Sequence, residues 1–441
     1  MDKTKKYYTE QTRFGKTIYR EIRPGTEEML NSVDKPTIIE IRNMDVTYGY
    51  GSKAFQALKD FNLNIYKGEV LGLVGESGSG KTTAGRAIIG LTPHSFGQIK
   101  ILDKVVPKNL HKVWKWTKKG KDIVDFMVNK VQMIFQDPTN SLNPFKNVEY
   151  IISEGLTNTN NSKAIYLYNF DQQAKKLIYS HLSKDSHPQF FDKFEMDLEK
   201  SLTSNDLAFT TFYEDFYNQI ISLNNSELTT LFNELKQERE NANNITEKEA
   251  KKNLVLDILK SVGLDDSVLN RYPLEFSGGQ QQRIGICRAI ILQPQLLIAD
   301  EPISALDVSI QAQVINIFKE LKQKYNLTIL FIAHDLRMVE YISDRIAVMN
   351  KGTLLEVGST KEIIKNPHHP YTQSLLDAVP SIEAQRGSLV GKAYNPLVHD
   401  YDEDNQPKWQ KISNNHFVLA NDEEFPTFKE SAKNYKSKII K

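Results

Sequence analysis

The sequence of 441 residues reads as an α/β protein with a mainly parallel sheet. Three observations predict this. QLLIADE (Gln295–Glu301) and TILFIAHD (Thr328–Asp335) are near-continuous apolar runs that end in polar residues. Such runs suit strands buried on both faces, with function at their C-terminal ends. A glycine-rich turn, GESGSGKTT at Gly75–Thr83, follows an apolar strand-like run and opens a segment of helical character.

The elements follow in order. Residues 1–36 are polar, end at Pro36 and read as an N-terminal extension. TIIEIRNMDVTY, from Thr37, is β-branched with partial alternation, a strand pattern. LNIYKGEVLGLVG (Leu63–Gly75) adds strands around a Lys-Gly turn, and TAGRAIIGL (Thr83–Leu91) is helical. KVQMIF (130–135) is a further short strand. RIAVM and GTLLEVG (Arg345–Gly358) form a closing hairpin around Lys351-Gly352. Between Thr157 and Asn244 glycine disappears and Leu228, Leu231, Phe232 and Leu235 fall at helical spacing, so this stretch is expected to be an inserted helical segment. Thr246 and Glu249 form a capping box for a helix with Val255, Ile258, Leu259 and Val262 on one face. From Pro380 onward the chain is polar and aperiodic, with an acidic knot, HDYDEDN. Residues 381–441 are read as an accessory tail.

Bulk numbers exclude several classes. Hydrophobic residues make up 40% and charged residues 25%, ordinary for a globular protein. A net charge of +1 gives no global field favouring nucleic acid or an anionic membrane. The single cysteine, Cys287, rules out a disulfide framework and is expected in the core. The N-terminal stretch lacks the apolar region of a signal peptide. The longest apolar runs, such as LTILFIA (Leu327–Ala333), fall far short of the ~18 residues of a membrane span.

Gly75, Glu76, Ser77, Gly78, Ser79, Gly80, Lys81 and Thr82 match G-x-x-x-x-G-K-[ST] between a strand and a helix. Glycines let backbone N–H groups turn toward phosphate oxygens, and the helix N-terminus adds its positive end. Lys81 is expected at the β- and γ-phosphates and Thr82, followed by Thr83, at Mg²⁺. Asp300 is expected to hold Mg²⁺ and Glu301 to polarise an attacking water. His334 ends the next strand, where it can position that water. Gln136 ends VQMIFQ, its amide within reach of metal and water. Tyr48, preferred over Tyr50, is placed to stack on adenine. Trp114 and Trp116 read as partly buried indoles on a solvated lysine face. Ser277, Gly278, Gly279 and Gln280 form a second phosphate-cradle pattern.

Aromatic, P-loop, glutamine loop, SGGQ, Asp-Glu strand, SALD and histidine make a distinctive order. On it the chain resembles the ATP-binding subunits of ABC transporters. FSGGQQQR then corresponds to the signature motif and Ser304–Asp307 to the D-loop. QDPTNSLNP (Gln136–Pro144), SALDVSIQAQV (Ser304–Val314) and NPHHPYTQSLLDAVP (Asn366–Pro380) are similar to the oligopeptide/dipeptide importer branch, and within it to F-type subunits. The resemblance covers roughly residues 37–156 and 245–380. It implies an ABC-type P-loop NTPase domain over 37–380. Its parts are a RecA-like core (37–137 and 290–380), a helical subdomain (138–289, with an atypical insert at 157–244) and an antiparallel β portion. It implies ATP and Mg²⁺ as cofactors and hydrolysis that drives peptide import, at the cytoplasmic side of the cell membrane. The implied partners are a second ATPase, of D-type, two permease subunits and, indirectly, an extracytoplasmic peptide-binding protein. No nucleic acid is expected. Ser277, Gly278, Gly279, Gln280 and Asp307 would serve the ATP of the partner subunit.

The chain departs from that branch in the long stretch between Gln136 and Ser277. With Cys287 as its only cysteine, a tail iron–sulfur site is excluded. A soluble ABC protein acting on ribosomes or nucleic acid is the alternative, though such proteins tend to carry two cassettes and more basic charge. A P-loop kinase would leave SGGQ and the histidine strand unexplained.

Overall fold

The structure is a computed structural model. It describes residues 6–11, 15–114, 116–159, 161–182, 213–214, 216–378, 394–396, 399, 401 and 405–439. The chain forms two compact units, one from the residues up to Leu142 and from Phe276 onward, the other from Asn143–Glu275.

The first unit opens with a hairpin, β1 (Tyr7–Gln11) and β2 (Thr17–Glu21). A four-stranded antiparallel sheet has the order β4-β3-β6-β7, from β3 (Thr37–Tyr48), β4 (Phe55–Tyr66), β6 (Phe96–Ile101) and β7 (Lys104–Val106). An eight-stranded sheet contains β5 (Val70–Val74), β8 (Val131–Ile134), β9 (Leu296–Asp300), β10 (Thr328–Ala333), β11 (Arg345–Asn350) and β12 (Thr353–Ser359). It is completed by β13 (Lys408–Ser413) and β14 (His416–Ala420), in the order β13-β14-β12-β11-β5-β10-β9-β8. Strands β11, β5, β10, β9 and β8 are parallel, and every residue of β5, β9 and β10 is buried. The apolar runs therefore became strands covered on both faces. Lys351 (φ 44°) and Gly352 (φ 82°) make the two-residue turn from β11 to β12. Positive φ at both centres matches the twist of a hairpin.

The N-terminal residues are more than a polar extension. Arg20 donates to Asp45 Oδ1 at 2.8 Å and lies 4.2 Å over the Phe96 ring, while Met29 and Leu30 join the main core. Those few apolar residues and the ion pair hold the segment on the antiparallel sheet.

The tail expectation is corrected. Residues 408–420 are not aperiodic: β13 and β14 form a hairpin, and β14 pairs with β12 through Glu356↔Val418 and Val357↔Phe417. HFVLA at 416–420 is buried throughout. Without it β12 would be an open edge with unpaired backbone groups. A helix, Glu424–Ile439, follows. Trp114 and Trp116 also differ from expectation. They are 75% and 96% exposed.

The second unit is helical. Its described helices are Val148–Thr159, Ser162–Ser180, Tyr217–Ser222, Ser226–Ala242 and Glu247–Ser261. Leu228, Phe232 and Leu235 are buried against Ala174, Ile178, Tyr213 and Phe216, and Leu231 packs at the margin. The capping box at Thr246 and Glu249 is present, and Val255, Ile258, Leu259 and Val262 are buried. Residues 183–212 of the expected insert lie outside the described residues. The unit is narrower than the anticipated 138–289. Helix Gly278–Ile290 packs on helix Pro138–Ser141 and on β8, and Thr139 Oγ1 donates to Gln281 Oε1 at 2.9 Å. Both helices thus belong to the first unit. Among the described residues no helix is long and apolar enough to cross a membrane.

Candidate active site

Four parallel strands deliver their C-terminal ends to one edge of the large sheet. Val74 stands beside Ala333, Asp300 beside Ile332, and Ile134 beside Ala299. Ligands bind at this edge in open α/β sheets.

After β5 the chain turns through Gly75–Gly80 into helix Lys81–Ile88. Gly80 has φ 104°, and a Cβ there would lie 2.8 Å from Ala57 O. At Gly75 a Cβ would come within 2.1 Å of Met349 O. Side chains at either position would break the cradle. Lys81 Nζ donates to Gly75 O (2.7 Å) and Glu76 O (2.8 Å) and lies 4.0 Å from Glu301 Oε1. Burial lowers the Lys81 pKa from its ordinary value, opposed by Glu301 and Asp300.

Thr82 Oγ1 donates to Asp300 Oδ1 at 2.9 Å. Burial pushes the Asp300 carboxyl up, while the Thr82 hydrogen bond pulls it down. Glu301 sits at φ 45°, its N–H donating to Ile332 O at 3.0 Å. Its Oε2 accepts from Gln136 Nε2 at 3.0 Å and lies 3.4 Å from His334 Nδ1. Four strand ends therefore converge on one carboxylate. The Tyr48 hydroxyl donates to Thr83 Oγ1 at 3.4 Å, and its ring stays partly exposed. Tyr50 is 94% exposed.

Two expected groups make bonds of their own. Ser277 caps helix Gly278–Ile290, with Gln280 N–H donating to Ser277 Oγ (3.4 Å) and Ser277 N–H to Gln280 Oε1 (3.1 Å). Ser277 and Gly278 are exposed, and a Cβ on Gly278 would meet nothing within 4 Å. Asp307 caps helix Val308–Tyr325, accepting from Ile310 N–H at 3.0 Å.

Sequence reasoning missed Tyr371. Its hydroxyl accepts from the Glu76 N–H at 2.8 Å, bracing the P-loop. NPHHPYT carries part of the resemblance, but nothing in its local pattern points to Glu76, 295 positions upstream.

The donor set fits a nucleotide with Mg²⁺. A hydroxyl and a carboxylate, both hard oxygen donors, stand side by side at a cradle built for phosphate. Residues 58–304, more than half of the chain, match the family profile described as "ABC transporter". Residues 355–403 match "Oligopeptide/dipeptide transporter, C-terminal region". The oligopeptide transport ATP-binding protein OppF of Streptococcus pyogenes serotype M1 is 40% identical over 89% of this chain and 97% of its own. The dipeptide transport ATP-binding protein DppF of Lactococcus lactis subsp. cremoris is 37% identical over 90% and 97%. OppF of Bacillus subtilis is 37% identical over 89% and 98%. A profile over most of the chain, and relatives aligned along nearly all of it, place this protein in the ABC transporter family.

Proposed function

We propose that the chain is the ATP-hydrolysing subunit of an importer that takes up oligopeptides. The observation that carries this is the convergence of Lys81, Gln136 and His334 on Glu301, next to the Thr82–Asp300 pair. The named relatives, which are oligopeptide and dipeptide transport proteins, support the cargo class.

Hydrolysis of ATP transfers the γ-phosphoryl group to water, and catalysis of it is largely positioning and electrostatics. The N–H groups of Gly75–Thr83 cradle the phosphates, with Tyr48 on the adenine side. Lys81 is parked on Gly75 O and Glu76 O, from which its ammonium can swing to the β- and γ-phosphates. Thr82 and Asp300 would hold Mg²⁺, which when bound neutralises phosphate charge. Glu301 accepts a hydrogen bond from the attacking water and aims its lone pair at phosphorus. Gln136 and His334 orient Glu301, and His334 can donate to the charge that develops. Ser277, Gly278, Gly279, Gln280 and Asp307 cap the γ-phosphate held by a second ATPase subunit, of D-type. ATP then acts as glue between two half-sites, and binding favours the closed pair. Closure pulls on two permease subunits at the cytoplasmic side of the cell membrane. A separate extracytoplasmic protein selects the peptide.

Nothing observed favours a ribosomal role. The test is a pull-down of the tagged chain from detergent-solubilised membranes, with partners identified by mass spectrometry. Recovery of two permease proteins and a related ATPase is expected. Recovery of ribosomal proteins without permeases contradicts the reading.

A further inference from the structure

Outside the nucleotide site, three buried side chains of metal-ligating type meet where the C-terminal hairpin joins the sheet. Glu356 comes from β12, His416 from β14, and His368 from the loop before helix Pro370–Asp377. One ligand atom from each lies within 4.8 Å of the other two. We propose that Glu356, His368 and His416 bind a divalent transition-metal ion such as zinc, clamping the hairpin to the body of the sheet.

The donor set is two imidazoles and a carboxylate, one of the sets that takes zinc, with a fourth position for water. Two imidazoles argue against Ca²⁺ or Mg²⁺, which prefer oxygen alone. Donors around a tetrahedral ion of this kind lie roughly 3.5 Å apart, given ligand distances of about 2.0–2.2 Å. Small shifts therefore suffice: His416 Nε2 already sits 2.7 Å from Glu356 Oε1.

Two of the three donors, His368 and Glu356, have supporting bonds of the kind found around metal ligands. His368 Nδ1 lies 2.9 Å from Asn366 O, which can only accept, so Nδ1 carries the proton and Nε2 keeps its lone pair. Ligating histidines are commonly fixed by such a bond. The carboxylate is oriented by two backbone donors, His368 N–H at 2.7 Å and His369 N–H at 3.0 Å. His416 Nε2 stands 2.7 Å from Glu356 Oε1, while its Nδ1 has no hydrogen-bond partner among the described residues. His416 lies 60 positions from Glu356, so one ion would cross-link β14 to β12 and to the loop that leads to Tyr371.

The experiment is a Co²⁺ titration of the full-length protein, stripped with a chelator and free of nucleotide. One equivalent should bind with visible ligand-field absorption, and Zn²⁺ should displace it. A protein carrying Asp300→Asn and Glu301→Gln should bind equally, separating this site from the nucleotide site. His368→Gln and His416→Gln should each weaken binding by about tenfold or more while ATP binding persists. X-ray absorption of the wild-type zinc complex should show two imidazoles with oxygen donors, a readout that stands if a variant fails to fold. Failure of the wild-type protein to form a 1:1 complex overturns the proposal. So does binding that both histidine variants retain, or a spectrum without histidine scattering.

Discussion

Glu301 holds a left-handed backbone conformation at φ 45°, which costs a non-glycine residue about 1–3 kcal/mol. The bond from its N–H to Ile332 O keeps it there, and the turn brings the carboxylate to Gln136, His334 and Lys81. Glu301→Gln preserves shape but removes the anion that orients water. Single-site turnover should fall by a factor of about 10² or more while ATP stays bound. Wild-type turnover in that variant would remove Glu301 from its role. Cys287 gives a separate check on the core. It is fully buried, and burial pushes its thiol far above the ordinary range. A thiol reagent should leave the native protein unlabelled and react at once in denaturant. Labelling at the same rate in both states contradicts its placement. At this scale the sequence was informative where spacing is rigid. Gly75 through Thr82 are fixed by one strand-to-helix turn, so a motif suffices to find them. Tyr371 was not legible, because its bond to Glu76 joins residues 295 positions apart.

Among the elements, helix Gly278–Ile290 carries the second cradle. Space around Gly278 is open, so Gly278→Asp should not disturb the fold that carries it. It would place a carboxylate against a partner's γ-phosphate. In a heterodimer with one P-loop lysine intact at a time, hydrolysis at the partner's site should be lost. ATP binding at this chain's own P-loop should persist. If the isolated subunit loses its own ATP binding instead, the cradle works within one chain. The helical unit offers a stability test. Arg239 and Asp171 are buried, joined at 2.8 Å, and Tyr213 donates to the same carboxylate oxygen. Arg239→Ala leaves Asp171 buried without its charge partner, at a cost of about 3–5 kcal/mol. Hydrogen exchange should quicken through Asn143–Glu275. Unchanged protection there would contradict the pair's weight. The spacing of Leu228, Leu231, Phe232 and Leu235 announced these helices, since amphipathic period is a local property. The ion pair was hidden, because Asp171 and Arg239 come from helices that only tertiary packing brings together.

For the whole molecule, the C-terminal residues complete the sheet. Truncation after residue 405 removes β13, β14 and the last helix and leaves β12 as an edge, with its buried Val357 exposed. The melting temperature should drop by about 5 °C or more, since several buried side chains are lost. An unchanged melting temperature would restore the accessory-tail reading. That reading failed because β13 and β14 are short, lie among polar residues, and join the sheet only through the pairing of β14 with β12, which is far upstream. The parallel core was legible because its strands are apolar enough to declare themselves without their neighbours.

The central claim is that hydrolysis at this site powers peptide uptake. Its most direct measurement is ATP-dependent accumulation of a labelled oligopeptide in cells whose only copy of this chain is either wild type or Glu301→Gln, at equal abundance and membrane association. The account predicts accumulation with the wild-type chain and a fall of about 10² or more with the variant. Equal accumulation in the two strains would contradict it.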